Sequence, residues 1–275
     1  MGLRITTNMA SISAQRSLSM QTKRQEHSAQ ALASGSRIVR AADDAAGLAI
    51  SENMKADIRG TAAARSNAFN AISMIQVGEG GLAETTNLII RLKELGVQSA
   101  SDTIGEKERA YLNQEAKSVS EEIDRISKTT KFGDKSLLDG SNPTFDFHVG
   151  SNAAKENVIT YQVDGNATIG ELNLDSVDIS SKDGAKDLLG NLDSALEKVS
   201  RMRAGFGALQ SRLESTATGL DVKSENLSAA RSRISDADVA KESSEMASAS
   251  MLQSAAISVL ASANQQPYAA MKLLG

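Results

Sequence analysis

Seven residues apart, without a miss, stand Leu192, Val199, Phe206, Leu213, Leu220, Leu227 and Ile234. Three places after each come Ala195, Met202, Leu209, Thr216, Lys223, Ala230 and Ala237. Apolar first positions with mostly apolar fourth positions define a coiled-coil seam, in which Thr216 and Lys223 are the weak layers. At ~1.5 Å per residue, a helix from about Ala185 to Ser235 would run roughly 75 Å. One helix cannot bury such a stripe alone, so the rest of the chain must supply long helical partners.

The N-terminal half supplies them. Leu112, Ala116, Val119, Ile123 and Ile126 keep a 4-3-4-3 spacing, which predicts a helix from about Glu106 to Thr130. A longer one is expected from Asp44 to about Ser99, with Met54, Ile58, Phe69, Ile72, Ile75, Leu82, Ile89, Leu92 and Leu95 as its apolar positions. Asp43 and Asp44 suit its start, where carboxylates cap free N–H groups. Gly35 suits a left-handed stop of the helix before it. Ser101 to Gly105 reads as the turn between two antiparallel helices.

Between the helical halves the period changes to two. Phe145, Phe147 and Val149 alternate with Asp146 and His148, and Ile159, Tyr161 and Val163 alternate with Thr160 and Gln162. This predicts a hairpin with one buried face, its loop at Gly150 to Asn157, and Pro143 just before it. The short apolar stretch Ile169 to Ile179 is expected to cover the hairpin edge. The expected fold is therefore mainly α: long antiparallel helices in a coiled-coil-like bundle with one small β-hairpin region at about 143–180.

The two ends form a separate zone. The N-terminal stripe of Ile5, Met9 and Ile12 fades into a polar run, while Met246, Ala249, Leu252, Ala256, Val259 and Ala263 recur near the other end. Narrow, Ala-rich amphipathic helices bury little area and gain little stability alone. Residues 1–40 and 237–275 are expected to be a terminal domain, mobile in the free chain and helical when packed, around a bundle domain of 41–236.

Composition narrows the function. A net charge of −4 argues against nucleic acid, which calls for a clustered basic surplus. Zero Cys removes disulfides, thiolate metal sites and thiol catalysis. His27 and His148 are the only histidines and lack ligand spacing; His27 reads as a solvated helix residue and His148 as part of the polar hairpin face. The run Gly78-Glu79-Gly80-Gly81 lacks the ending of a phosphate loop and reads as a softening of its helix. No metal, cofactor or enzymatic chemistry is expected. No uninterrupted run approaches the roughly 18 apolar residues of a membrane span, and the first residues hold no apolar signal segment.

The motifs themselves resemble a family. Ser34-Gly35-Ser36-Arg37-Ile38 with Ala42-Asp43-Asp44-Ala45-Ala46-Gly47-Leu48-Ala49-Ile50 is similar to the N-terminal signature of bacterial flagellin. Arg91-Leu92-Lys93-Glu94-Leu95-Gly96-Val97-Gln98 resembles its next helical segment. Ser232-Arg233-Ile234-Ser235-Asp236-Ala237-Asp238 and Ala261-Ser262-Ala263-Asn264-Gln265-Gln266-Pro267, with Leu273-Leu274, resemble its C-terminal end. The middle is so short that the family's outer domains are expected to be missing.

The resemblance implies a structural subunit that polymerises into the flagellar filament, with terminal helices pairing along an inner tube. It implies passage, unfolded and uncleaved, through the flagellar type III export channel to the cell exterior. Its implied partners are further copies of itself, an export chaperone, the cap and hook-junction proteins, and an innate immune receptor. Assembly is expected to use Ile5, Met9, Ile12, Leu252, Val259, Leu260, Leu273 and Leu274. Charged clusters (Arg37, Arg40, Asp43 and Asp44; Arg231, Arg233, Asp236 and Asp238) are candidates for ion pairs that fix register. Arg91, Leu95 and Glu115 match positions that the flagellin-sensing Toll-like receptor contacts. The alternatives are the hook–filament junction protein, whose ends are similar, and a soluble coiled-coil scaffold, which would leave both end signatures unexplained.

Overall fold

The computed structural model describes residues 7–142, 144–163 and 166–272, the last seven of these by backbone alone. Two long helices dominate, and both agree with the hydrophobic pattern. Helix α1 is Met9–Ser34, α2 is Ala45–Ser99 and α3 is Glu106–Thr129. Strands β1 (Lys131–Phe132), β2 (Lys135–Ser136), β3 (Thr144–His148) and β4 (Val158–Gln162) follow. Then come the short α4 (Ile169–Leu172), α5 (Lys182–Ser235) and α6 (Val239–Lys272). The chain forms two compact units: Met1–Asp57 with Asn226–Gly275, and Ile58–Glu225.

Unit Ile58–Glu225 has one core. Ile75, Leu82, Ile89, Leu92 and Leu95 of α2 are fully buried with Ala116 and Ile123 of α3 and Leu192, Val199 and Leu213 of α5. Burial of these stripes, rather than helix propensity, holds such long helices. Phe69 departs from the expected pattern: it is exposed, with the Arg65 guanidinium 5.3 Å over its ring. Arg65 also pairs with Asp221 at 2.9 Å.

The heptad first positions stay buried through Leu220, but the layer after Leu213 is displaced by one residue. Buried positions run Leu209, Leu213, Ala217, Leu220, so two steps of four follow one another. The step of three that follows returns Leu220 to its heptad place, so one layer is displaced and the register is kept. Thr216 therefore leaves the seam and its hydroxyl donates to the Arg212 carbonyl (2.8 Å), while Lys223 is exposed. The two weak layers are not core positions at all.

Strands β3 and β4 pair antiparallel with Phe145 opposite Tyr161 and Phe147 opposite Ile159. Phe145 and Ile159 are buried, and His148 is exposed as expected. Tyr161 packs on Phe206 of α5, ring centroids 5.7 Å apart. The 169–179 stretch corrects the expectation of an edge cover, because it runs along α2 and α3. Asn113 accepts the Ile179 N–H (3.0 Å), Ser120 donates to the Leu174 carbonyl (3.3 Å) and Ser99 to the Ile179 carbonyl (2.5 Å). These bonds satisfy backbone groups of a mostly irregular segment whose Leu172, Leu174, Val177 and Ile179 are buried.

The glycine run is a packing notch rather than a soft point. Helix α2 continues through it, and a Cβ on Gly78 would lie 2.8 Å from Cε2 of Phe206. At Gly81 a Cβ would meet Thr130 and Leu138 within 3.0 Å, whereas Gly80 faces open space. The β1–β2 hairpin was not expected; Gly133 supplies its turn at φ 59°.

Candidate assembly surface

Helices α1 and α6 pair antiparallel within the unit Met1–Asp57 with Asn226–Gly275. Their register is written in polar contacts. The Asn8 amide donates to the Ala263 carbonyl (2.8 Å), Ser11 to Asn264 (2.8 Å), and Gln253 to Thr22 (3.2 Å). At the opposite end the Ala237 N–H donates to the Gly35 carbonyl (2.9 Å). Asn8 also caps α1 by accepting the Ser11 N–H, and α1 stops at Gly35, φ 68°.

The faces that meet are made of small residues. Ala14, Ser28 and Ala31 of α1 are buried, as are Ala249 and Ala263 of α6. Of the large apolar side chains, Leu18, Leu32 and Met246 are half-buried and most of the others point elsewhere. Met9 is 66% exposed, Met20 50%, Met251 68%, Leu252 50% and Val259 59%, and Ile12, Val239 and Ile257 are exposed as well. Leu260 is half-buried. The C-terminal stripe thus divides: its alanines meet α1, while Leu252 and Val259 remain outside. Glu242 is 8% exposed, and its Oε2 has no partner among the described residues, which weakens the pair further. Ile5, Leu273 and Leu274 lie outside the described residues.

Apolar residues surround α6. A helix with apolar residues on all sides is one meant to be covered on all sides. Met20 of α1 and Val239, Met251 and Ile257 of α6 escaped the sequence reading, and the all-round character of α6 is the signal that could have found the last three. It also corrects the expectation about spans. Small serines break up the apolar run without adding charge. By length and composition alone, Val239–Gln265 is therefore apolar enough to cross a membrane, and 11% of that window is buried.

The charged clusters meet, but not as cross-cluster ion pairs. Ser36 bridges Asp236, and the Arg37 N–H donates to the Ser235 carbonyl (2.7 Å). The Arg37 guanidinium donates to the Ile234 carbonyl (2.7 Å) and lies 3.4 Å from Asp44. A cation on the last carbonyls of α5 complements the negative end of that helix. Asp44 caps α2 by accepting the Gly47 N–H (2.8 Å), which holds its carboxyl below the usual range, with Arg37 adding to the effect. Asp43 instead accepts the Arg40 and Val39 N–H groups, with His27 Nε2 at 3.2 Å; the Arg40 N–H contributes most to lowering its pKa. Asp238 caps α6 through the Ala240 N–H. Arg231 and Arg233 form no ion pair among the described residues, because the acids they were expected to reach already serve these turns.

In the other unit, Arg91 pairs with Glu115 (2.7 Å) and Glu94 (2.9 Å) on the surface. The hydrogen bonds that Arg91 donates to Glu115 lead the causes that raise its pKa. Leu95 is 1% exposed and belongs to the core, so its side chain offers no surface to a receptor. No cluster of potential metal ligands occurs among the described residues.

A helical protein that buries alanines between its own tails and turns its large apolar residues outward is built as a subunit of a larger polymer. Comparison with known proteins identifies which one. The family models for the bacterial flagellin N-terminal and C-terminal helical regions match residues 5–143 and 189–274. The flagellin of Halalkalibacterium halodurans is 42% identical over 272 residues, covering 98% of this chain and 99% of that protein. The flagellar filament 33 kDa core protein of Treponema phagedenis is 37% identical, and the flagellin of Bacillus subtilis 36%, each over at least 98% of both chains. A crystal structure of Bacillus cereus flagellin shares the fold, with TM-score 0.50 and 22% identity over 56% of this chain and 88% of that one.

The chain belongs to the bacterial flagellin family. It is a non-enzymatic structural subunit of the flagellar filament, of the minimal kind without outer variable domains. These relatives replace the junction-protein and scaffold alternatives.

Proposed function

We propose that the filament forms through the outward apolar surface of α1 and α6, with Met9, Ile12, Leu252, Val259 and Leu260 packing against adjoining copies. The observation that carries this is the inverted arrangement of the pair, small residues inside and large ones outside. The contact is heterologous, since head-to-tail repetition that does not close generates a filament. In the free subunit the pair is marginal, because an interface of alanines and serines offsets little of the ordering entropy. It becomes firm when neighbours bury the remaining apolar area. Ile5, Leu273 and Leu274 belong to the same surface on the strength of the family resemblance.

The subunit reaches the cell exterior unfolded and uncleaved through the flagellar export channel; a chain without cysteine holds no crosslink against threading. Before export a chaperone covers α6, and after it the filament meets the cap and hook-junction proteins. Arg37, Asp43, Asp44 and Asp236 act in register by holding the turns that join the tails. Arg91 and Glu115 are the exposed groups available to an innate receptor. Deleting residues 240–275 tests the central reading: residues 58–225 should remain folded, and no filament should sediment. Filaments formed by the truncated chain would refute it.

A further inference from the structure

We propose that Met9, Met20 and Met251 are sulfoxidation sites through which a hydroperoxide switches off assembly of the free subunit. The inference rests on the assembly surface proposed above. Among the described methionines, Met54 and Met246 are half-buried and the rest fall into two groups. Those at 9, 20 and 251 are 66%, 50% and 68% exposed on the terminal helices, whereas Met74 and Met202 are nine-tenths or more buried in the bundle core. With no cysteine in the chain, these thioethers are the most readily oxidised groups facing solvent.

The step is a two-electron oxygen transfer. A sulfur lone pair attacks the distal peroxide oxygen, the O–O bond breaks and an S–O bond forms. The departing hydroxide takes the proton of the transferred oxygen and leaves as water, so the sulfur is oxidised and the peroxide reduced. A flexible apolar side chain becomes a polar one with a strong acceptor. Burying that acceptor without a donor opposes association. Neighbours that cover the three thioethers in the polymer also exclude peroxide, so filaments resist the reaction that disables free subunits.

The test uses the full chain. Free subunits and preformed filaments are exposed to hydrogen peroxide, oxidation is mapped by peptide mass spectrometry, and the critical concentration is read by sedimentation. Met9, Met20 and Met251 should oxidise before Met74 and Met202 in free subunits, and more slowly in filaments. The critical concentration should rise at least tenfold, and methionine sulfoxide reductase should restore it. The triple variant M9L/M20L/M251L keeps the apolar volume and should assemble before and after peroxide alike. An unchanged critical concentration after oxidation, equal oxidation in filaments, or equal inactivation of the triple variant would each overturn the proposal. Unoxidised Met251→Gln separates it from the reading beneath. If that variant impairs assembly while oxidation does not, only the redox proposal fails; if it and polar changes at Leu252 and Val259 all assemble normally, the surface itself is wrong.

Discussion

Replacing Leu252 and Val259 together by serine removes two outward apolar side chains while leaving the alanine contacts of α6 with α1 in place. The size of the effect follows from what each side chain still exposes. Leu252 is 50% and Val259 59% exposed, so about half of each burial energy remains to be gained from a neighbour. Full burial of such a side chain contributes about 2 kcal/mol, so the pair should lose about 2 kcal/mol of association energy per contact. At about 1.4 kcal/mol per tenfold, the critical concentration should rise roughly 30-fold. Sedimentation across a concentration series measures it, with the thermal midpoint of the free subunit as the control. That midpoint reports the core of residues 58–225, to which neither side chain belongs, so it should barely move. A critical concentration within about threefold of the parent, beside an unchanged midpoint, would refute the reasoning, since threefold corresponds to only about 0.7 kcal/mol.

Gly78→Ala and Gly80→Ala should move in opposite directions in thermal melts. The first drives a methyl against Phe206, overpacking that costs about 1–3 kcal/mol against a propensity gain of about 1 kcal/mol; the second makes only the gain. Thr216→Leu, stabilising by heptad logic, should change stability by less than about 0.5 kcal/mol in denaturant titration, because Ala217 takes that layer. Ala217→Leu should destabilise by about 1–3 kcal/mol, since its site is already filled. The lowered pKa values of Asp43 and Asp44 give the acid response a definite sign. Their contribution is complete above the ordinary value of 3.8 and disappears as pH falls through their depressed folded values. Amide exchange should therefore show the first turn of α2 loosening below about pH 4, and Asp44→Asn, which keeps an acceptor, should reduce that dependence.

What could be read from the sequence was whatever depended on periodicity. The bounds of α2, α3 and α5 and the β3–β4 pairing follow from spacings of 3.5 and 2, because burial on one face enforces them. The displaced layer after Leu213 was hidden because Ala217 is small enough to look like a surface residue beside Thr216. Phe206 entering the Gly78 notch is a contact between distant segments, which no local window contains. Two-residue strands such as β1 carry no period at all. In the terminal pair, Leu252 and Val259 were legible as apolar, but an all-round apolar helix does not say which side its partner takes. Arg37 makes its shortest bond to a carbonyl and keeps Asp44 at 3.4 Å because the end of α5 lies within reach.

The contact between α1 and α6 has a mechanical corollary. Methyl and hydroxymethyl groups succeed one another along both faces, so displacing one helix by a turn, about 5.4 Å, exchanges small bumps for similar ones. Only a few couplings, among them Asn8 with Ala263 and Thr22 with Gln253, distinguish one setting from the next. Pulled lengthwise, such a pair gives by ratcheting before it comes apart.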